Sequence, residues 1–254
     1  MIRDFTLGKY RELCHTLLES GYTIITVGCY LEVPGNCDRK IVILRHDVDR
    51  KIKNAFRIAK LEHSLGIHST FYFRYPYTFR PEIIGAIRDM GHEIGYHYET
   101  LSKAKGDLKK AITLFECELR SLRTVAEIHT ICMHGSPLSK FDNRDLWKNY
   151  DFHELGIIGE AYLSIEGTAY FTDTGRNWSG KHSLRDRMSV SDTDLPLAET
   201  TDELIAYIRS GTRYPLYLTV HPERWAASNP EWVLGMLMDG TMNTGKAILS
   251  HFRK

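Results

Sequence analysis

Apolar residues along the chain follow two patterns, one with helical spacing and one of short continuous runs. The helical spacing predicts helices over residues 8–20, 52–65, 81–90, 107–123 and 202–210. The short runs, rich in β-branched and aromatic residues, predict strands over residues 22–27, 41–44, 67–73, 93–96, 128–133, 156–158, 162–165, 169–172 and 216–220. Because strands alternate with helices, the sequence predicts βαβ units around a mostly parallel sheet.

The alternation runs through the chain without an internal repeat or a linker. The chain has 254 residues, of which 43% are hydrophobic and 26% charged, a balance typical of globular proteins. A single α/β barrel of this length is common. We therefore expect one domain over residues 1–254, with a long polar loop at 174–200.

Charge and cysteine content exclude several classes of protein. The 33 Lys and Arg residues and 32 Asp and Glu residues give a net charge of +1, so we expect no nucleic-acid partner. No apolar run approaches the roughly 20 residues that a membrane helix needs, and the N-terminus lacks the apolar segment of a signal peptide. The five cysteines have irregular spacing, typical of reduced thiols, and the sequence therefore predicts a cytoplasmic protein.

Five predicted strands end in side chains that can bind a metal or move a proton. Aspartates follow residues 41–44 and 169–172, and histidines follow three other strands; these residues are Asp47, Asp49, Asp173, His97, His134 and His221. Each has a structural interpretation as well, such as a helix cap for an aspartate or a buried core residue for a histidine. In parallel α/β folds the carboxyl ends of the strands meet, so the recurrence favours a shared site.

These residue types suit one kind of chemistry. One carboxylate and two imidazoles form an open site for a divalent metal, which lowers the pKa of water and polarises a carbonyl group. Asp47 and Asp49 have the same strand parity, so a second carboxylate can take the proton of the attacking water. A histidine across the site can protonate the leaving group. The sequence thus predicts metal-dependent hydrolysis of an amide or ester.

At these residues the sequence resembles the polysaccharide deacetylase family of carbohydrate esterases, which includes the chitooligosaccharide deacetylase of nodulation. It is similar to a subgroup often found with surface-glycan biosynthesis. The similar segments are Arg45-His46-Asp47-Val48-Asp49, Ser69-Thr70-Phe71-Tyr72-Phe73, Gly91-His92-Glu93-Ile94-Gly95-Tyr96-His97 and Leu218-Thr219-Val220-His221. The resemblance covers residues 41–225 and implies a distorted (β/α) barrel of about seven parallel strands. It also implies removal of N- or O-linked acetyl groups from a carbohydrate substrate with a divalent metal, zinc being the first candidate.

The resemblance implies a metal-ligand set. The family's aspartate pair is split here by a valine, with Asp49 taken as ligand, and His97 matches the family's first ligand histidine. The second ligand histidine of the family comes four positions later, where this chain has Leu101. We expect His134 to supply the third ligand, with Glu99 as the alternative.

The resemblance also implies catalytic and substrate-binding roles. Asp47 would be the general base, oriented by Arg176, and His221 the general acid. We expect aromatic rings to stack on the sugar; the candidates are Trp178, Tyr75 and Trp225.

Two other functions remain open at the level of sequence. Asp47-Val48-Asp49 has the Asp-x-Asp pattern with which metal-dependent glycosyltransferases hold a nucleotide-sugar, although so short a pattern is weakly specific. The presence of Leu101 at the position of the family's second ligand histidine is also compatible with a non-catalytic glycan-binding barrel.

Overall fold

Parallel strands and the helices between them form most of the described chain. The computed structural model describes residues 3–32, 40–135, 139–180, 198–212 and 214–252. The helices are α1 Leu7–Glu19, α2 Val27–Glu32, α3 Ile52–Ser64, α4 Pro81–Asp89, α5 Thr100–Lys103, α6 Leu108–Arg123, α7 Thr201–Ser210 and α8 Asn229–Phe252. The strands are β1 Thr23–Ile25, β2 Ile41–Val48, β3 Thr70–Phe73, β4 Glu93–Tyr98, β5 Thr130–Met133, β6 Gly159–Glu160, β7 Ala169–Thr172 and β8 Leu216–Val220.

The sheet has the strand order β6-β5-β4-β3-β2-β8-β7, and β1 pairs with the first residues of β2. All these pairings are parallel. The central strand β2 is almost entirely buried, as its apolar run predicts. The predicted fold class is confirmed: the molecule is an α/β distorted barrel, a curled parallel sheet with flanking helices.

Contacts between non-neighbouring strands show how strongly the sheet curls. The hydroxyl of Tyr72 on β3 donates to Thr130 on β5 at 3.0 Å, across the intervening β4. The hydroxyl of Tyr217 on β8 donates to the carbonyl of Ala161, just after β6, at 2.9 Å. Side chains from both halves of the sheet therefore meet in one interior, and the carboxyl ends of the strands surround its mouth.

The helices predicted from spacing are confirmed, with small shifts of their ends, as α1, α3, α4, α6 and α7. In α1, Leu13 and Leu17 are buried on one face, and Thr6 caps the first turn by accepting the N–H of Lys9 at 3.2 Å. Gly21 follows the helix end with φ of 76°, a left-handed conformation that favours glycine. None of the described helices combines the length and apolar character that a membrane span needs.

The region between β5 and β7 differs from prediction. Residues 156–158 and 162–165 are not strands; the chain forms the two-residue β6 and then a turn. The carboxylate of Glu160 accepts the backbone N–H of Tyr162 at 2.7 Å and that of Leu163 at 2.9 Å. These N–H groups therefore stabilise a turn instead of pairing with a neighbouring strand.

Three helices, α2, α5 and α8, had no counterpart in the prediction. The strand predicted over 22–27 ends early as β1, since α2 begins at Val27. Of the polar loop predicted over 174–200, residues 181–197 lie outside the described residues.

Candidate metal centre

Asp49, His97 and His134 meet at the carboxyl ends of three strands. Asp49 directly follows β2, His97 lies near the end of β4, and His134 directly follows β5. Oδ1 of Asp49 is 3.3 Å from Nε2 of His97 and 3.5 Å from Nε2 of His134. The two imidazole rings meet edge to face, with centroids 5.3 Å apart. The structure thus brings together the three side chains that the sequence predicted as ligands.

The other nitrogen of each imidazole has a partner that fixes the ring. Nδ1 of His97 lies 3.0 Å from the carbonyl oxygen of Cys132, its neighbour in the sheet. Nδ1 of His134 lies 2.9 Å from Oε2 of Glu99. A carbonyl and a carboxylate only accept, so each Nδ1 carries the proton and each Nε2 presents its lone pair. This is the arrangement typical of histidines that bind a metal.

Glu99, the alternative third ligand, contacts His134 through the nitrogen remote from Asp49. Arg74 donates to Oε1 of Glu99 at 2.6 Å. Burial opposes ionisation of Glu99, but its bonds to His134 and Arg74 hold its pKa well below the usual range. The contact favours Glu99 as the group that orients His134.

Leu101 occupies the position at which the motif resemblance would place a second ligand histidine. It lies on α5, is 3% exposed, and packs in the hydrophobic core. An imidazole at that buried position would have to replace core packing, whereas His134 reaches Asp49 from the end of β5.

The donor set fits a divalent cation. Oδ1 of Asp49 is buried and accepts no hydrogen bond from any residue that the structure describes. A buried carboxylate oxygen without a donor is unfavourable unless a cation or a proton donor compensates it. One carboxylate oxygen and two imidazole nitrogens suit zinc and other first-row divalent ions, and three protein ligands leave coordination positions open.

The electrostatics of the site keep the carboxylate ionised. Burial raises the pKa of Asp49, but the charge of His134, the contact with His97 and the charge of His221 together hold it well below its ordinary value. Burial also lowers the pKa of His97, yet the charge of Asp47 and the contact with Asp49 raise it overall. A cation bound between these groups would also favour the ionised form of Asp49.

Asp47 lies on the same face of β2 as Asp49 and is more deeply buried, with its side chain 2% exposed against 20%. Arg45 donates to Oδ2 of Asp47 at 3.3 Å, and Sγ of Cys132 lies 3.8 Å from both carboxylate oxygens. Ligand atoms of Asp47, His97 and Cys132 all lie within 4.8 Å of one another. Because Arg45 already offsets the charge of Asp47, the group around Asp49 is the better fit for a cation.

His221 forms a second unit with Asp173 on the other side of the barrel mouth. Nδ1 of His221 lies 2.6 Å from Oδ1 of Asp173, and its backbone N–H also donates to that carboxylate. Arg224 donates to Oδ1 at 3.2 Å and the indole of Trp225 to Oδ2 at 2.8 Å. Asp173 therefore fixes both the position and the tautomer of the His221 ring.

The charge of Asp173 favours the protonated imidazole of His221, which is the form that a proton donor needs. Burial and the charge of Arg224 lower the pKa of His221, but the charge and hydrogen bond of Asp173 raise it above the ordinary value overall. Burial opposes ionisation of Asp173, whereas the charges of His221 and Arg224 lower its pKa. His221 thus stays protonated at higher pH than a free histidine.

Arg176 lies away from its predicted partner. Its Nε donates to Oδ2 of Asp239 on α8 at 2.8 Å. The guanidinium beside Asp47 belongs to Arg45, which precedes Asp47 by two residues on β2 and therefore shares its face of the strand. This corrects the expectation that Arg176 orients Asp47.

Two of the three predicted sugar-stacking rings are buried. Trp178 and Trp225 are 1% and 0% exposed, and both pack against Phe5. Stacking on a sugar needs an accessible ring face, so the expectation for these two residues is corrected. Tyr75 is half-buried, with its ring centroid 5.1 Å from that of Phe79.

Sequence reasoning assigned no role to Arg45, Asp173 or Glu223. The parity of Arg45 with Asp47 was available in the sequence, and Asp173 had been noted only as a residue at a strand end. Glu223 carried no pattern of its own. Its position beside the site depends on the pairing of β2 with β8, which brings the segments that follow these strands together.

No family model and no curated protein matches the chain. Among solved structures, the chain is similar to the carbohydrate esterase family 4 domain of a xylanase from the hindgut metagenome of Trinervitermes trinervoides. They are 12% identical over 82% of this chain and 85% of that one, with a TM-score of 0.45.

Two further solved structures are similar. The catalytic domain of a peptidoglycan N-acetylglucosamine deacetylase from Eubacterium rectale is 13% identical, with 82% of this chain and 87% of that one covered and a TM-score of 0.47. A family 4 pseudoenzyme from Bacillus anthracis is 14% identical, with 84% and 63% covered and a TM-score of 0.43. The chain is thus similar to two proteins of carbohydrate esterase family 4 and to a peptidoglycan N-acetylglucosamine deacetylase.

Proposed function

We propose that this protein is a metal-dependent hydrolase that removes an acetyl group from a sugar or glycan precursor. One observation carries the proposal: Oδ1 of Asp49 is buried without a hydrogen-bond donor, and the Nε2 atoms of His97 and His134 approach it. The motif resemblance over residues 41–225 supports a carbohydrate as the substrate class.

Asp49, His97 and His134 would hold the metal. A divalent ion bound there lowers the pKa of water and polarises an acyl carbonyl, and zinc is the first candidate for this donor set. Cys132 and Glu99 keep the two imidazoles in the required tautomer and orientation. They act on the ligands without taking part in proton transfer.

Asp47 is the proposed general base. Its carboxylate lies on the same strand face as Asp49, inside the barrel, where ligand atoms of Asp47 and His97 come within 4.8 Å. Arg45 donates to one of its oxygens and is itself held by the Tyr217 hydroxyl at 2.7 Å. This support fixes the carboxylate so that it can accept the proton of the attacking water.

His221 is the proposed general acid. Its Nδ1 is bound to Asp173, so Nε2 is the nitrogen that donates a proton to the departing amine or alcohol. The negative charge of Asp173 raises the pKa of His221 and stabilises the protonated ring before transfer. Proton acceptor and proton donor thus come from different strands, so one can accept the proton of water while the other protonates the leaving group.

The contacts of Asp47 favour hydrolysis over glycosyl transfer. In an Asp-x-Asp metal site both carboxylates must be available to a nucleotide-bound cation, but Asp47 is 2% exposed and paired with Arg45. The glycosyltransferase interpretation also gives no role to His97 or His221.

Elemental analysis and an acetate assay test the proposal together. We expect about one divalent ion per chain in the purified untagged protein, and release of acetate from an acetylated chito-oligosaccharide or acetylated xylan without any nucleotide. A protein that carries no metal, and regains none from solution, would contradict the metal centre. Metal without acetate release would favour the non-catalytic glycan-binding barrel instead.

A further inference from the structure

Glu223 differs from its neighbours in the segment after β8. His221, Arg224 and Trp225 all bond to Asp173. The Glu223 side chain is 3% exposed, and neither of its carboxylate oxygens accepts a hydrogen bond within the described ranges of the chain. The fold thus buries a carboxylate with two unsatisfied acceptor atoms.

This carboxylate lies beside the candidate metal centre. It forms an ion pair with Arg50, whose Nε is 3.7 Å from Oε1, too far for a hydrogen bond. Arg50 directly follows Asp49, and β2 pairs with β8 in parallel, so Glu223 faces the loop that carries Asp49. Burial and the charge of Asp49 raise the pKa of Glu223, opposed by His221, Arg224 and Arg50.

The chemistry of an unsatisfied buried carboxylate limits what it can bind. Burying such a group is unfavourable unless a ligand supplies donors or positive charge. Two oxygens on one carbon accept best from two donors on adjacent atoms. Vicinal hydroxyls of a sugar ring, or a hydroxyl next to an amide N–H, present donors in that way.

We propose that Glu223 is a sugar-recognition residue, which accepts two hydrogen bonds from adjacent hydroxyl or amide N–H groups of the acetylated sugar. Arg50, with its side chain 39% exposed, lies at the solvent edge of this subsite. The inference rests on the proposed function, because it places the sugar on the β8 side of the metal. It assigns the sugar contact to a carboxylate that lies outside the aromatic residues predicted from the sequence.

Binding and kinetics of Glu223→Gln test this assignment. The substitution keeps the size of the side chain but removes its charge and one acceptor. Glu116→Gln, an exposed glutamate on α6, is the matched control. The probes are N,N′-diacetylchitobiose, measured by calorimetry and acetate release with the zinc-loaded protein, and p-nitrophenyl acetate, an ester without a sugar.

We expect Glu223→Gln to weaken binding of the disaccharide on the order of tenfold to a hundredfold. The loss in kcat/KM should be about tenfold greater for the disaccharide than for the aryl ester, and zinc content should match the control. Equal affinity in the variant and the control would overturn the proposal, as would absence of disaccharide binding by the wild type. Loss of zinc from Glu223→Gln would overturn it in favour of a metal ligand.

A different measurement, acetate release by the wild type, decides whether the proposed function itself is wrong. If the wild type releases acetate from neither probe, hydrolysis is contradicted, while the calorimetric comparison still decides whether Glu223 recognises the sugar.

Discussion

Strand β2 separates two groups, each built from one carboxylate and two histidines. The inner cluster consists of Asp49, His97 and His134 and lies at the mouth of the barrel. The outer cluster consists of Glu62, His46 and His92 and lies between the sheet and α3, where all three side chains are buried. The two clusters have the same composition, so their different surroundings can be compared directly.

The carboxylate of the outer cluster is satisfied by hydrogen bonds. Oε1 of Glu62 accepts from the Tyr10 hydroxyl and lies 2.8 Å from Nε2 of His46, while Oε2 accepts from Ser69 at 2.6 Å. Burial raises the pKa of Glu62, but the charge and hydrogen bond of His46 lower it overall. Protein donors occupy both carboxylate oxygens, so this cluster needs no cation.

In the inner cluster, by contrast, hydrogen bonds from the described part of the chain do not satisfy the carboxylate. Oδ1 of Asp49 lacks a hydrogen-bond donor among the residues described, and the imidazole protons of His97 and His134 are directed to other acceptors. The comparison teaches that composition alone does not distinguish the candidate metal centre from a structural network. The distinguishing feature is that hydrogen-bond donors occupy both oxygens of Glu62, whereas Oδ1 of Asp49 has none among the described residues.

The largest effect is expected from removing the charge of the inner cluster. Asp49→Asn keeps the volume of the side chain but replaces a strong ligand with a weak one. We expect loss of bound metal, measured by elemental analysis, and a fall in acetate release on the order of a thousandfold. Full metal content in Asp49→Asn, or in His97→Ala, would contradict the ligand assignment.

A smaller effect is expected at the proton donor. Asp173→Asn keeps a hydrogen-bond partner for His221 but removes the charge that raises its pKa. Since an acid must be protonated to act, the alkaline limit of the kcat/KM profile should move to lower pH. The rate at pH 8 should fall by roughly tenfold to a hundredfold. An unchanged pH profile would exclude His221 as the acid.

The next largest effect is expected from Glu99→Gln, which tests the contact between Glu99 and the proposed ligand His134. It keeps an acceptor near Nδ1 of His134 but removes the negative charge. We expect zinc affinity to fall on the order of tenfold to a hundredfold, measured by competition with a chelator. Complete loss of metal would indicate that Glu99 itself is the third ligand.

The smallest effect on metal binding is expected in the outer cluster. Glu62→Gln should lower the free energy of unfolding by about 1–3 kcal/mol, measured by urea denaturation, and leave zinc content unchanged. The pKa of Glu62 is below its ordinary value of 4.5 in the folded state, so its contribution is present above pH 4.5 and is lost as pH falls. Metal loss in this variant would remove the distinction between the clusters.

Sequence reasoning predicted the inner cluster because Asp49, His97 and His134 follow or end apolar strands, and parallel strands bring their carboxyl ends together. It placed Glu62 on a helix but had no means of finding its partners, since these depend on how α3 packs on the sheet. Sequence reasoning assigned Trp178 and Trp225 to sugar stacking, although both rings are buried. Burial of an aromatic ring is a property of tertiary packing, which residue spacing along one strand does not contain.

Strand β2 serves both clusters through the alternation of its side chains. Arg45 and Asp47 point into the barrel, whereas His46 points to Glu62 on the outside. A deletion or insertion of one residue within β2 would exchange these faces, placing a charged pair under α3 and an imidazole among the barrel tyrosines. Changes in chain length at β2 should therefore be far more damaging than substitutions, because they disrupt folding and chemistry together.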